Sequence, residues 1–155
     1  MTKSNYLLKV HDFYAARIEL LKQKIIKLKN TLSEKDFTQH EIVKLAFRIR
    51  RATQEIIPED PDRPDYKLKG PLKKYRRYKQ GLSRYRLMYF FSEKPPIIVY
   101  LYINDEKHLR KDGDKNDPYQ EFSKLVDKGV FIANVNDARA KKWISLEALS
   151  FNRVS

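Results

Sequence analysis

A chain of 155 residues with 41% hydrophobic side chains, 12% aromatics, 4 Gly and 7 Pro fits one domain with a real core, which excludes disordered, collagen-like and low-complexity classes. The lack of cysteine excludes a disulfide scaffold, thiolate zinc and a cysteine nucleophile, and the scattered His11, His40 and His108 make no helical zinc pair. A formal charge of +13 favours a polyanionic partner, while no apolar run nears the ~20 residues that cross a bilayer and no signal-peptide cleavage site is seen, so a soluble, cytoplasmic protein without membrane contact is expected.

Tyr14, Ile18, Leu21, Ile25, Leu28 and Leu32 recur at helical spacing and predict a helix over 12–32. Its other face carries Arg17, Lys22, Lys24, Lys27 and Lys29, read mainly as a solubilising surface. After a break at Asn30 to Phe37, a stripe of Ile42, Leu45, Ile49, Thr53 and Ile56 predicts a second helix that ends before Pro58 and folds back as an antiparallel hairpin. Residues 58–71 hold four of the seven prolines and read as a semi-rigid connector. Residues 73–80 alternate, Gly81 to Ser83 form a turn, and 84–91 complete a β-hairpin; 97–104, IIVYLYIN, fit a central strand covered on at least one face. Asp117 as N-cap, Pro118 at the first helical position and Gly129 as a stop predict a short third helix. Trp143, Leu146 and Leu149 suggest a further terminal helix. The layout is an α+β domain over 1–129, with helices on one face of an antiparallel sheet, the other face open for binding, and a tail over 130–155.

The charge is concentrated. Residues 1–65 carry 13 basic against 10 acidic side chains and residues 87–155 carry 11 against 10, but Tyr66 to Arg86 holds nine basic residues and no acidic one. Lys73, Lys74, Arg76, Arg77, Lys79, Arg84 and Arg86 are interleaved with Tyr66, Tyr75, Tyr78 and Tyr85, which suits phosphates and stacked bases; the plainer alternative is a solvated loop. Strand alternation puts Tyr75, Arg77 and Lys79 on one side and lets Arg84 and Arg86 share a side, so four cations converge. Mutual repulsion favours a neutral lysine, which makes Lys79 a candidate base, and the arginines can stabilise a phosphorane. The same patch also suits simple binding. The loop 104–113 adds Asn104, Asp105, Glu106, His108 and Arg110. His108 is either a general acid or neutral filler, and Asp105 with Glu106 either binds a divalent metal or caps a turn and pairs with arginine. Gly-rich phosphate loops, dinucleotide fingerprints and G-x-S-x-G elbows are absent from the sequence.

Taken together, LLKVHDF, PEDPDRPDYKLKGPL, GLSRYRLMYFF, IIVYLYINDEKHLRKDG and DPYQEFSKLVDKG, spanning Leu7 to Gly129, resemble the YhaV family of toxins from bacterial type II toxin–antitoxin systems, within the RelE and ParE superfamily. The resemblance implies a RelE-like fold, an N-terminal helical hairpin on an antiparallel sheet with a C-terminal helix. It also implies a metal-independent endoribonuclease, an mRNA interferase associated with ribosomes that inhibits translation and arrests growth without a cofactor. The family pattern assigns catalysis to Arg77, Lys79, Arg86 and Arg110, with Lys79 as base, Arg77 and Arg86 as phosphorane clamp and Arg110 as acid or charge partner. Lys73, Lys74, Tyr75, Arg76, Arg84, His108 and Tyr119 are expected to bind RNA. Plainer readings have Tyr119 pack its helix and Arg110 pair with Asp105 or Glu106. A cognate antitoxin of the AbrB-like swapped-hairpin type, and operator DNA bound through the complex, are the implied partners. Asp12 departs from the proline usual after the early histidine, and the tail after Phe131 inherits nothing from the family. A non-catalytic RNA- or ribosome-binding module and a topoisomerase-directed toxin of the ParE kind are the competing functions.

Overall fold

The computed structural model describes residues 5–149, and it opens with a strand that periodicity did not predict, β1 (Leu7–Val10). Helix α1 (Asp12–Thr31) follows, then a short α2 (Glu34–Gln39) within the expected break, and α3 (Glu41–Arg51). The second helix does not stop at Pro58: it widens into a π-turn over Ala52–Ile56 and adds one turn, α4 (Ile57–Glu59). In a π-turn the N–H of residue 58 would serve the Thr53 carbonyl, and proline has none to give. The Tyr100 hydroxyl donates to that carbonyl instead, at 2.6 Å.

The sheet continues with β2 (Arg76–Tyr78), β3 (Leu87–Glu93), β4 (Pro96–Ile103) and β5 (Ile144–Ser145), in the order β2-β3-β4-β1-β5. It is mixed rather than antiparallel, because β1 lies parallel to β4. The expected strand over 73–80 contracts to three residues, and Arg84 and Arg86 fall in the loop before β3. Positive φ at Gly81 (73°) and Ser83 (54°) turns the chain there, and fully buried Leu82 pins the turn. Helix α5 (Pro118–Asp127) has the expected Asp117 cap and Pro118 start. No terminal α-helix forms among the described residues: Trp143 follows a 3₁₀ turn, β5 comes next, and Leu146 lies in another 3₁₀ turn. The remainder of the tail, 150–155, lies outside the described residues.

Both sheet faces are covered, which corrects the expectation of one open face. On the first, Tyr78, Leu87, Tyr89, Ile98 and Tyr100 pack with Tyr14, Ile18 and Ile25 of α1 and with Leu45 and Ile49 of α3. On the second, Tyr75, Met88, Val99, Leu101 and Tyr102 pack with Phe122 of α5 and with Phe131, Ile132 and Trp143 of the tail. Burying each such side chain contributes about 1.5–3 kcal/mol, so the tail is part of the core that holds α5 down. A register shift in the β3–β4 ladder pairs Met88 with Tyr102 but Tyr89 with Tyr100, leaving Leu101 as an extra residue.

His11 caps α1: its Nδ1 accepts the Phe13 N–H at 2.9 Å and its Nε2 lies 3.0 Å from the Val130 carbonyl, so a neutral ring protonated on Nε2 satisfies both. Burial pushes its pKa below the ordinary 6.5, only partly offset by the Val130 bond.

Two outcomes are expected. Tyr100→Phe orphans the Thr53 carbonyl and costs about 1–3 kcal/mol of stability, read as a lower urea midpoint at unchanged slope. The depressed His11 pKa contributes stability that is complete above 6.5 and lost as pH falls, because the unfolded chain binds the proton first. The urea midpoint therefore drops as pH falls below 6.5, and His11→Asn, which can still cap, makes that drop shallower.

Candidate active site

Cross-strand pairing of Arg77 with Met88, and of Met88 with Tyr102, sets the three on the face that α5 covers. Arg77 is half-buried where α5 begins. Its Nη1 donates to the Tyr119 hydroxyl at 3.2 Å and its Nη2 to the Asp65 carbonyl at 2.6 Å, while its shielded Nε–H has no partner. The Tyr119 ring takes the Arg110 guanidinium at 5.2 Å from its centroid. Arg77 thus joins Tyr119 and Arg110, more than 30 residues further along, in one contact chain.

Arg110 is held in place by carboxylates. It donates to Asp117 at 2.7 Å and pairs with Asp112. Asp117, 4% exposed, also caps α5 by accepting the Tyr119 N–H, so one carboxylate fixes both the helix start and the arginine beside it. Burial works to lower the Arg110 pKa, but the hydrogen bonds it donates to Asp117 and Asp112 outweigh burial and hold the pKa above its usual value. The plainer reading that Arg110 pairs with Asp105 or Glu106 is replaced by these partners.

Asn104, 3% exposed, joins the loops. Its Oδ1 accepts the Arg86 N–H at 2.7 Å, and its Nδ2 donates to the carbonyls of His108 at 2.7 Å and Arg84 at 3.2 Å. The Arg110 N–H donates to the Arg84 carbonyl and the Arg84 Nε to the Arg110 carbonyl, so the two segments run side by side. The Arg86 guanidinium closes its own turn on the carbonyls of Ser83 and Tyr85 and keeps an unpartnered Nε–H. Lys73, Lys74, Lys79 and Arg84 are exposed.

Two residues of the expected RNA surface have other work. Tyr75 is 5% exposed and edge-on to Phe122, so its ring packs the core and offers no stacking face. Arg76 lies on the opposite sheet face from Arg77, bonded to Asp62 at 2.9 Å and placed over the Phe91 ring.

A polar network that sequence reasoning missed adjoins this site. Arg17, assigned to a solubilising helix face, is only 13% exposed in its side chain and sits over Phe13 and Tyr102. It donates to both oxygens of Glu121, at 2.7 and 3.3 Å, and to the Ile103 carbonyl. Glu121 also accepts the Tyr102 hydroxyl. His108 Nδ1 is 2.7 Å from Asp105 and its Nε2 is 3.4 Å from Glu121. Burial opposes the charge on Asp105, yet the His108 bond and the Arg17 charge hold its carboxyl below the usual carboxylate range. The four-residue spacing of Phe13 and Arg17 was the available signal for Arg17, since it puts the guanidinium beside an aromatic ring; no pattern marked Glu121. Among the described residues no cluster of three or more His, Cys, Asp or Glu side chains is arranged to hold a metal ion. A cleft of about 430 Å³ between α1, α3 and the loop after β4 is lined by Leu20, Ile42 and Tyr85 and also by Arg17, Asn104 and Asp105, while none of Arg77, Arg86, Arg110 or Tyr119 borders it.

Residues 8–142 match a family model described as a toxin with endonuclease activity, of a toxin–antitoxin system. The chain is 31% identical over 124 residues to a protein named ribonuclease toxin YhaV from Escherichia coli strain K12, covering 77% of this chain and 75% of the relative. Proteins named toxin YhaV from Escherichia coli O157:H7 and O6:H1 strain CFT073 show the same identity and coverage. No solved structure matches the chain.

Asn104→Ala removes the donor and acceptor that join the two arginine-bearing loops. It is expected to cost about 2–3 kcal/mol in urea unfolding, because the Arg86 N–H loses its partner and two carbonyls lose a donor.

Proposed function

The chain belongs to the YhaV family of toxins with endonuclease activity, and from that premise we propose that it is a metal-independent endoribonuclease cleaving mRNA at the junction of Arg77, Tyr119 and Arg110. That junction carries the reading: two guanidinium groups meet on one tyrosine at a helix start, and the segment that supplies Arg77 also carries exposed Lys73, Lys74, Lys79 and Arg84. Arg77 and Arg86 each hold a shielded Nε–H with no partner in the protein. In this reading Arg77 and Arg86 clamp the phosphorane, Lys79 takes the ribose 2′ proton, Arg110 acts as a fixed charge rather than an acid, and Tyr119 supports the nucleotide. Lys73, Lys74 and Arg84 draw in the RNA backbone.

A toxin of such a system has an antitoxin as its partner. We take that antitoxin to be AbrB-like, with an acidic or apolar segment covering the basic face and the complex binding its operator DNA. The target is mRNA on the ribosome, the outcome is arrested translation and growth, and the place of action is the cytoplasm. Among the described residues no helix is long and apolar enough to cross a membrane. The packing of α1 and α3 on one sheet face supports a RelE-like reading of the fold.

The test is brief induction of wild type and Arg77→Ala in a bacterium, followed by mapping of 5′ ends in cellular mRNA. New cuts and growth arrest are expected with wild type, and Arg77→Ala is expected to lower cutting by about 10²–10³-fold, the usual effect of removing one donor to a developing oxyanion. Growth arrest with intact mRNA would overturn the ribonuclease reading and favour RNA binding alone or topoisomerase inhibition.

A further inference from the structure

We propose that the cleft between α1 and α3 is an anchor for the antitoxin, which lays an amphipathic helix along it, apolar face inward and carboxylates at the edge. The inference rests on membership of a toxin–antitoxin family and is independent of the ribonuclease reading. This anchor is additional to the segment over the basic face.

The apolar lining from the two helices is Leu20, Leu21, Ile42, Leu45 and Ile49. Leu45 and Ile49 are buried core, whereas Leu20 is 57% exposed, so the core continues outward into apolar surface that no other described residue covers. The stretch of α1 along the cleft, Arg17 to Lys27, is about 15 Å long, room for about three turns of a second helix. A groove between two helices reads such a partner through apolar side chains at helical spacing.

Charge at the rim selects the kind of partner. Glu106 is taken by Lys24 at 2.5 Å and Asp105 by His108 and Arg17, while exposed Lys27 and Lys107 make no ion pair among the described residues. Two uncommitted ammonium groups beside an apolar trough favour a segment with carboxylates next to an apolar stripe. RNA has no such apolar stripe, and a second copy of this chain, at +13, brings like charge to the rim. Arg77, Arg110 and Tyr119 lie outside the lining, so docking and action at the candidate site are separable by substitution.

The chain has no cysteine, so Leu20→Cys places a single thiol at the cleft, and Phe47→Cys, at a position 66% exposed and outside the lining, places one elsewhere on the helices. Alkylation of each folded variant is timed with and without the purified cognate antitoxin. The Leu20→Cys thiol is expected to react about tenfold more slowly in the complex, because a docked helix excludes solvent from it, and the Phe47→Cys thiol at its free rate. Lys27→Glu and Leu20→Glu are expected to weaken antitoxin binding by about 10-fold and about 100-fold. Both should arrest growth like wild type in cells without antitoxin, and Leu20→Glu should do so even with antitoxin present; a misfolded variant would lose toxicity instead. Equal reaction of Leu20→Cys with and without antitoxin, equal protection of both thiols, or wild-type affinity in the two glutamate variants would overturn the proposal. Protection that rises with the concentration of Leu20→Cys alone would overturn it in favour of a second copy. Intact mRNA in arrested cells would end the ribonuclease reading and leave these binding results standing.

Discussion

The extra residue that β4 carries opposite Met88 and Tyr89 decides what the rest of the site can be. With a regular ladder, Tyr100 and Tyr102 would point to the same face, under α1 and α3. The bulge at Leu101 turns Tyr102 over, so that one tyrosine hydroxyl serves the Thr53 carbonyl in the π-turn and the other serves Glu121 on α5. A strand buried from Ile97 to Ile103 therefore anchors helices on both sides: one hydroxyl supplies the donor that the Thr53 carbonyl would otherwise lack, and the other adds to the Arg17 pairing of Glu121. Asn104, one residue past the strand, inherits its inward direction from the same register and can reach back to both loops.

The elements legible in the sequence were those whose signal is local. The stripe from Tyr14 to Ile25 and the pairing of Asp117 with Pro118 state a helix and its start without reference to the rest of the chain. β1 and β5 carry no such statement: four and two residues long, they become strands because β4 offers an unpaired edge and β1 then offers another. The continuation of the helix through Pro58 was illegible for the same reason, since the hydroxyl that makes it tolerable comes from Tyr100, far along the chain. The second sheet face was read as open because the tail was set apart from the domain; Phe131, Ile132 and Trp143 lie outside regular helices and strands, where burial leaves no period.

The candidate site was legible as a composition and not as a geometry. The dense cations marked the segment, but alternation assumed a strand where the chain turns at Gly81 and Ser83, and it grouped Arg84 and Arg86 as strand neighbours. What brings Arg110 to Tyr119 is Asp117, an acidic residue that a count of positive charge sets against the site. Arg17 and Glu121 were hidden because each reads as an ordinary surface charge until Tyr102 is turned toward them.

The net charge of the basic segment consequently overstates its grip on a polyanion. Arg76 is spent on Asp62, so this cation stabilises the fold before any polyanion arrives. Lys73, Lys74, Lys79 and Arg84 are exposed, and these would release counterions on meeting phosphates. Arg77 and Arg110 belong to neither group: half-buried and oriented by backbone and carboxylate, they lose little freedom on engaging an anion and are poorly screened by salt. In the proposed reading, affinity for RNA and action on it rest on different arginines and lysines within one stretch of charge, and the second, smaller set is the one that must be rigid. The Asp117 cap and the Asn104 bridge supply that rigidity, and both follow from how the C-terminal end of β4 meets the first turn of α5.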